Sequence, residues 1–131
     1  MSPGFVYLDS SVALAELFHE QLRPPEPLWQ ESLISSRLLD YECWVRLHAR
    51  GGQRHGDALR SLLARVAKLE LIGPVVSTVQ EPLSGATRTL DALHLAAMRF
   101  LIEEDQRVRL ATYDRRLASV ARAAGIELYP L

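Results

Sequence analysis

Short apolar stretches alternate along this chain with longer segments whose apolar residues recur at helical spacing, and this alternation constrains the fold most. The short stretches are rich in β-branched and aromatic residues, which is typical of buried strands. Strands that alternate with helices predict an α/β fold with a mostly parallel central sheet and helices on both faces. The strands are predicted at 5–8, 33–35, 108–112 and 126–129, with a further, Gly-Pro-interrupted strand within 69–76.

Helix signals lie between the strands. Ser36 and Thr89 are plausible N-caps, and Gly51 and Gly125 are stop signals. A short helical turn followed by a loop is predicted over 77–85. The helices are predicted over 10–19, 37–50, 54–69, 90–104 and 114–124. Ligands of such folds lie outside the carboxyl ends of the strands, so residues there are the first candidates for a site.

The composition is that of an ordinary globular protein. With 131 residues, 48% hydrophobic and 24% charged, the chain is predicted to form a single domain over 1–131. It has no run of roughly 18 apolar residues and no secretion signal, so we expect a cytoplasmic protein without a membrane partner. The one cysteine, Cys43, excludes an internal disulfide and is predicted to be a core residue. The net charge of −1 gives no general attraction to nucleic acid.

Two acids lie just after predicted strands. Asp9 comes after the first strand, Asp114 comes shortly after the strand at 108–112, and each lies at the start of a predicted helix. Either could simply cap its helix, since Asp is a favoured N-cap residue. Because the carboxyl ends of parallel strands share one edge of a sheet, both carboxylates are also expected in one crevice.

A third acid, Glu42, interrupts the apolar arc of the helix at 37–50. A lone buried carboxylate costs several kcal/mol, so Glu42 needs a partner. Arg46, four residues on, is one choice, and a bound cation is another. Asp40 projects from a different face of the helix and competes with Glu42 as its functional acid.

Asp91 shares a helical stripe with Leu95 and Met98. Its position in the first turn also suits the helix dipole, worth about 0.3–1 kcal/mol. His94 projects about 60° away from it and is at most a neighbour. Carboxylates that converge on a crevice repel one another, and hard divalent cations such as Mg²⁺ or Mn²⁺ relieve that repulsion. The acids together predict a metal site for phosphodiester hydrolysis.

Four motifs, FVYLDSSVAL, SSRLLDYE, RTLDALHLAA and LATYDRRLA, stand in this order along the chain. They resemble the PIN-domain nucleases, specifically the VapC-type toxins of bacterial toxin–antitoxin pairs. The resemblance implies a PIN-like three-layer sandwich and a small supporting hydroxyl at Ser10 and at Thr112. It also favours Glu42 over Asp40 by its distance from Ser36. The catalytic and metal-binding acids that it implies are Asp9, Glu42, Asp91 and Asp114.

The resemblance further implies a Mg²⁺-dependent endoribonuclease, with Mn²⁺ as a plausible substitute, that inhibits translation. The expected partners are the RNA substrate (tRNA, rRNA or mRNA), a second copy of the chain in a homodimer, and a small antitoxin in a toxin–antitoxin hetero-oligomer. Two alternatives stay open: a degenerate PIN fold that only binds protein, and a DNA-directed PIN nuclease. The arginines that are candidates for holding the RNA backbone, or equally for surface ion pairs, are Arg37, Arg88, Arg115 and Arg116.

Overall fold

The computed structural model describes residues 4–19, 21, 23–77 and 88–131. Within these ranges, strands and helices alternate along the chain. The strands are β1 (Phe5–Leu8), β2 (Leu33–Ser36), β3 (Ala67–Leu69), β4 (Val108–Ala111) and β5 (Glu127–Leu128). The α-helices are α1 (Ser10–Leu17), α2 (Leu38–Ala49), α3 (Gly56–Leu63), α4 (Gly73–Val76), α5 (Thr89–Glu103) and α6 (Arg115–Ala123). Short 3-10 helices lie at Glu26–Gln30 and Gln53–His55.

The five strands form one sheet in the order β3-β2-β1-β4-β5, and every neighbouring pair is parallel. The chain builds the sheet outward from β1 through β2 to β3, and then crosses to the other side of β1 to add β4 and β5. The strand order therefore reverses between β1 and β4. In open parallel sheets this reversal opens a crevice at the carboxyl ends of the strands, where ligands bind.

The residues of β1 alternate between the two faces of the sheet. Val6 and Leu8 pack into one apolar cluster with residues of α1, α2 and α3, whereas Tyr7 packs into a second cluster with residues of α5 and α6. All three side chains are at most 1% exposed. A strand buried on both faces explains why the sequence there is continuously apolar. The result is a sheet between two helical layers.

The structure confirms the predicted α/β class with a parallel sheet flanked by helices. The strands at the N-terminus, at 33–36 and at 108–111 lie within a residue of their predicted bounds. Gly51, which follows α2, has a φ of +64°, a left-handed conformation that glycine adopts without steric cost. Cys43 is fully buried in the core, as predicted.

One predicted helix is wrong in its second half. The helix expected over 54–69 ends at Leu63, and 67–69 form β3, which pairs with β2 in the register Ile34↔Ala67. The strand expected within 69–76 is therefore misplaced, and Gly73–Val76 form the short helix α4. The apolar residues at 62, 63 and 66 have helical spacing, which is why the helix was predicted to continue. The conformation of 67–69 is decided instead by pairing with β2, and apolar periodicity carries no information about such pairing. Pro74 suits the first turn of α4 because its missing amide proton is not needed there.

The two predicted N-caps also shift by one residue. Arg37 stands at the N-cap position of α2, although the Ser36 hydroxyl still accepts a hydrogen bond of 3.2 Å from the Leu38 amide. Arg88 is the N-cap of α5, and Thr89 is the first helical residue. The turn and loop predicted over 77–85 lie outside the described residues except for Ser77. Within the described ranges, no helix has the length and apolar character to cross a membrane.

Candidate metal centre

The candidate site begins where β1 and β4 end. The register of the two strands pairs Leu8 with Ala111, so the next residues, Asp9 and Thr112, leave the sheet side by side. The Asp9 amide donates to the Ala111 carbonyl (3.1 Å), and the Thr112 hydroxyl donates to Asp9 Oδ2 (2.8 Å). Strand pairing alone therefore sets the place of the first carboxylate.

Asp9 caps α1 and still keeps one carboxylate oxygen uncommitted. Its Oδ2 accepts from the Ser11 amide (3.3 Å), the Ser11 hydroxyl (2.5 Å) and the Thr112 hydroxyl. Within the described part of the chain, no hydrogen bond ends at Oδ1. Capping uses Oδ2 and leaves Oδ1 for a cation, so Asp9 can serve both as an N-cap and as a metal ligand.

Ser11, rather than Ser10, makes the contacts that a supporting hydroxyl would make. Besides bonding Asp9, the Ser11 hydroxyl accepts from the Tyr113 amide at 3.0 Å. The Ser10 hydroxyl is buried without a hydrogen-bond partner in the described ranges. The resemblance implied Ser10, but both serines lie in the first turn of α1, and the sequence does not show which hydroxyl turns back to Asp9.

Asp114 repeats the arrangement at the start of α6. Its Oδ1 accepts from the amides of Arg116 (2.9 Å) and Leu117 (3.3 Å). The Asp114 amide donates to the Thr112 hydroxyl at 2.9 Å. Thr112 therefore links the backbone at one capping acid to the side chain of the other.

Glu42 is paired with a histidine rather than with Arg46. His94 Nε2 lies 2.7 Å from Glu42 Oε1, and His94 Nδ1 lies 2.7 Å from the Tyr7 hydroxyl. His94 is 2% exposed. Asp9, Glu42 and His94 each present one ligand-type atom within 4.8 Å of the others. The sequence pattern missed His94, although its place three residues after Asp91 on one helix was a usable signal.

Asp91 carries a buried carboxylate oxygen with no partner. Its Oδ2 is inaccessible to solvent and accepts no hydrogen bond within the described residues. Burial in the first place, and then the carboxylates of Asp114 and Asp9, raise the pKa of the Asp91 carboxyl above its ordinary value. An unpaired buried oxygen beside two other carboxylates is a position that a bound cation would stabilise.

The four predicted acids line one cleft of about 470 Å³. Arg46, Arg88 and Arg116 line it too, whereas Arg37 and Arg115 do not. Arg37 instead bonds Asp40 and Glu70 on the surface. The structure thus brings two of the four candidate arginines, Arg88 and Arg116, to the cleft, and Arg46, expected only as a partner for Glu42, lines it as well.

Asp40 lies away from this cleft. Its carboxylate pairs with Arg37 at 3.0 Å and with Lys68 at 3.5 Å. Lys68 belongs to β3, so the pair ties the start of α2 to the neighbouring edge strand. These contacts give Asp40 a structural role separate from that of Glu42.

The donor set fits a hard divalent cation. Carboxylate oxygens are the ligands that Mg²⁺ and Mn²⁺ prefer, and the cleft offers four carboxylates, one of them with an orphaned oxygen. The negative field of the cluster reaches the neighbouring thiol as well: burial, and then Glu42 and Asp9, raise the pKa of Cys43 to about 12. Cys43 therefore stays a neutral thiol and is not a soft ligand for the site.

A parallel sheet with a cleft at its point of strand reversal, lined by carboxylates of the kind that hold divalent cations, is the arrangement expected of an α/β metal-dependent hydrolase. The chain matches the PIN domain family over residues 6–123 and belongs to that family. PIN domains are generally metal-dependent nucleases, and the acidic cleft found here is in keeping with that class. No curated protein matches the chain.

Proposed function

We propose that the protein is a divalent-metal-dependent endoribonuclease and the toxin of a toxin–antitoxin pair that inhibits translation. The observation that carries the nuclease proposal is the convergence of Asp9, Glu42, Asp91 and Asp114 on one cleft, where Asp91 has an orphaned buried oxygen. The order of the four sequence motifs, which resembles that of VapC-type toxins, supports the choice of RNA and the toxin role.

In this proposal Asp9, Asp91 and Asp114 hold Mg²⁺, and Mn²⁺ can replace it. A bound divalent cation supplies activation of water and stabilisation of the leaving oxygen in phosphodiester hydrolysis. The Asp9 and Asp114 carboxylates are held by hydrogen bonds to helix amides, so each presents its second oxygen from a fixed position. Glu42 either joins the ligands or orients the attacking water.

The arginines of the cleft suit the phosphates of the substrate. Arg46, Arg88 and Arg116 form no ion pair within the residues that the structure describes, although they share the cleft with four acids. An arginine guanidinium presents a planar set of donors that matches a phosphate group. We assign these three side chains to the RNA backbone on either side of the scissile bond.

The partners in this proposal are a second copy of the chain and a small antitoxin. The antitoxin would neutralise the enzyme by placing its tail in or over the acidic cleft. An arginine or lysine in that tail would find the same carboxylates that hold the cation. Co-purification of the product of a neighbouring reading frame, with loss of cleavage in the complex, is the expected result.

The decisive experiment is a cleavage assay on end-labelled structured RNA and on a flap DNA of the same sequence. We expect cleavage of RNA with Mg²⁺ or Mn²⁺, no cleavage with EDTA, and none by Asp9→Asn. In the proposed reaction water attacks phosphorus and the 3′ oxygen leaves, which gives a 3′-hydroxyl and a 5′-phosphate. Attack by the RNA 2′-hydroxyl, with the 5′ oxygen leaving, would instead give a 2′,3′-cyclic phosphate and a 5′-hydroxyl. Equal or preferential cleavage of the DNA would favour the DNA-directed alternative.

Calorimetric titration with Mg²⁺ separates an enzyme from a degenerate binding module. The enzyme takes up metal, and Asp91→Asn weakens that uptake. A chain that takes up no metal and cleaves neither nucleic acid would be a protein-binding module. The toxin role is tested by induction in cells: wild type should stop translation, and Asp9→Asn should not.

A further inference from the structure

Three buried or half-buried side chains form a continuous hydrogen-bonded chain beneath the cleft. The Tyr7 hydroxyl contacts His94 Nδ1 at 2.7 Å, and His94 Nε2 contacts Glu42 Oε1 at 2.7 Å. Tyr7 is fully buried and His94 is 2% exposed. We infer that Tyr7 and His94 position the Glu42 carboxylate in the cleft, an inference that rests on the proposed nuclease function.

The direction of the hydrogen bonds follows from the chemistry of the two ends. An ionised Glu42 only accepts, so His94 Nε2 carries the proton and donates it. With its proton on Nε2, the neutral imidazole can only accept at Nδ1, so the Tyr7 hydroxyl, 2.7 Å away, is the donor there. The hydroxyl thus fixes the ring form that presents a donor to Glu42.

Both ring nitrogens of His94 are occupied in this arrangement. His94 could join the cation's ligands only by giving up its hydrogen bond to Glu42 or to Tyr7. Glu42, in contrast, uses Oε1 for His94 and accepts no hydrogen bond at Oε2 within the described part of the chain. The geometry therefore makes His94 a positioning residue and leaves Glu42 the group that faces the cleft.

The hydrogen bonds of Tyr7, His94 and Glu42 also connect the three parts of the fold that carry Asp9, Asp91 and Glu42. Tyr7 lies on β1 two residues before Asp9, and His94 lies on α5 three residues after Asp91. Glu42 lies on α2, on the opposite side of the sheet from α5. This buried connection from β1 thus joins the two helical layers. Partners of this kind, behind a metal ligand, typically change metal affinity or activity by about 10–100-fold when they are removed.

The test compares Tyr7→Phe, His94→Leu and His94→Gln with wild type. Leucine removes both hydrogen bonds but keeps the site filled, whereas glutamine keeps one donor and one acceptor. Phenylalanine removes only the hydroxyl that orients the ring. Matched controls are Tyr129→Phe, which removes a phenol outside the cleft, and His48→Gln, at the end of α2 against Trp44.

We expect His94→Leu to lower kcat on RNA by about 10–100-fold with little change in KM, and to weaken Mn²⁺ binding in calorimetry. Tyr7→Phe should show a smaller loss of the same kind, and His94→Gln should recover part of the loss. The controls should match wild type. Melting temperatures measured in parallel show whether each variant is folded.

A purely structural role predicts a different pattern. If Tyr7→Phe and His94→Leu melt earlier but keep the kcat and the Mn²⁺ affinity of wild type, the inference is overturned. Equal losses in His94→Gln and His94→Leu, with no loss in Tyr7→Phe, also overturn it. If wild type binds Mn²⁺ but cleaves no RNA, the proposed function fails, and the Mn²⁺ affinities of the variants still decide whether Tyr7 and His94 position Glu42.

Discussion

The Thr112 hydroxyl lies 2.8 Å from Asp9 Oδ2, although the two residues are more than a hundred positions apart in the sequence. Their proximity follows from the parallel pairing of β1 with β4, which ends at Leu8 and Ala111. The same hydroxyl accepts from the Asp114 amide. Thr112, placed by the strand register, therefore holds both the Asp9 side chain and the Asp114 backbone. All three donors to Asp9 bond its Oδ2, which leaves Oδ1 available to a cation.

Ser10 and Ser11, adjacent in the first turn of α1, should respond differently to substitution by alanine. Ser11→Ala removes a hydrogen bond to Asp9 Oδ2 and the acceptor of the Tyr113 amide, so it should cost about 1–3 kcal/mol of unfolding free energy and lower cleavage activity. Ser10→Ala removes a buried hydroxyl without a partner in the described ranges and should be neutral or stabilising. Urea unfolding and RNA cleavage measure both effects. Equal losses in the two variants would contradict the assignment.

Asp9→Asn should separate the capping role of Asp9 from its metal-binding role. Asparagine is as good an N-cap as aspartate, so the unfolding free energy should change by no more than about 0.5 kcal/mol. The lost charge should nevertheless abolish cleavage and weaken Mn²⁺ binding. Asp9→Ala, which also loses the cap, should cost about 0.5–2 kcal/mol. Cleavage by a folded Asp9→Asn protein at the rate of wild type would refute the metal-ligand role.

Glu42→Gln and Asp40→Asn form a matched pair on α2. Glutamine can still accept the His94 hydrogen bond through its amide oxygen, so Glu42→Gln removes the charge and spares the contact. We expect it to fold normally and to lose most of its cleavage activity. Asp40→Asn changes an ion pair with Arg37 and Lys68 outside the cleft and should keep its activity. The reverse result would make Asp40 the functional acid.

Local sequence patterns predicted what depends on neighbours along the chain. The helices, the buried strands and the two acids at strand ends follow from periodicity, N-cap preference and the geometry of parallel sheets. The half of the helix at 54–69 that proved wrong depends on pairing with β2, which is a long-range contact. A local pattern has no access to such a contact.

The partner of Glu42 was missed for the same reason. The expected partners were Arg46, which is near in sequence, and a bound cation. His94 is 52 residues away and meets Glu42 only after the helical layers close on the sheet. The role of the Tyr7 hydroxyl could not be predicted either, because the aromatic ring alone is enough to explain a tyrosine in a buried strand. The acids could be proposed from the sequence, but the groups that orient them could not.

The raised pKa of Asp91 predicts how metal binding depends on pH. The folded, metal-free protein binds a proton at Asp91 more tightly than the unfolded chain does. The stability that this proton contributes is present below the ordinary pKa of 3.8 and is lost as the pH rises through the raised folded pKa. Since a cation needs the ionised carboxylate, protons compete with it at low pH.

Mn²⁺ should therefore raise the melting temperature more at about pH 7.5 than at about pH 4, close to the ordinary Asp91 pKa of 3.8, where the raised pKa keeps the carboxyl mostly protonated. At a concentration of about 100 times its Kd, the stabilisation at the higher pH should be about 2.7 kcal/mol. Asp91→Asn should lose most of this effect, and Asp40→Asn should keep it. A shift that is equal at both pH values would mean that Asp91 does not compete with protons for the ion.

If the arginines of the cleft contact RNA phosphates, the affinity for RNA should depend on the salt concentration through them. Arg116→Gln should raise KM for RNA with little effect on kcat, because the side chain is assigned to a phosphate rather than to the reacting atoms. Loss of one phosphate contact should also reduce the slope of log K against log salt by about 0.7 for single-stranded RNA. Arg122→Gln, an exposed change on the same helix α6, is the control and should leave both quantities unchanged. Equal slopes for Arg116→Gln and wild type would mean that the arginine lines the cleft without contacting the substrate.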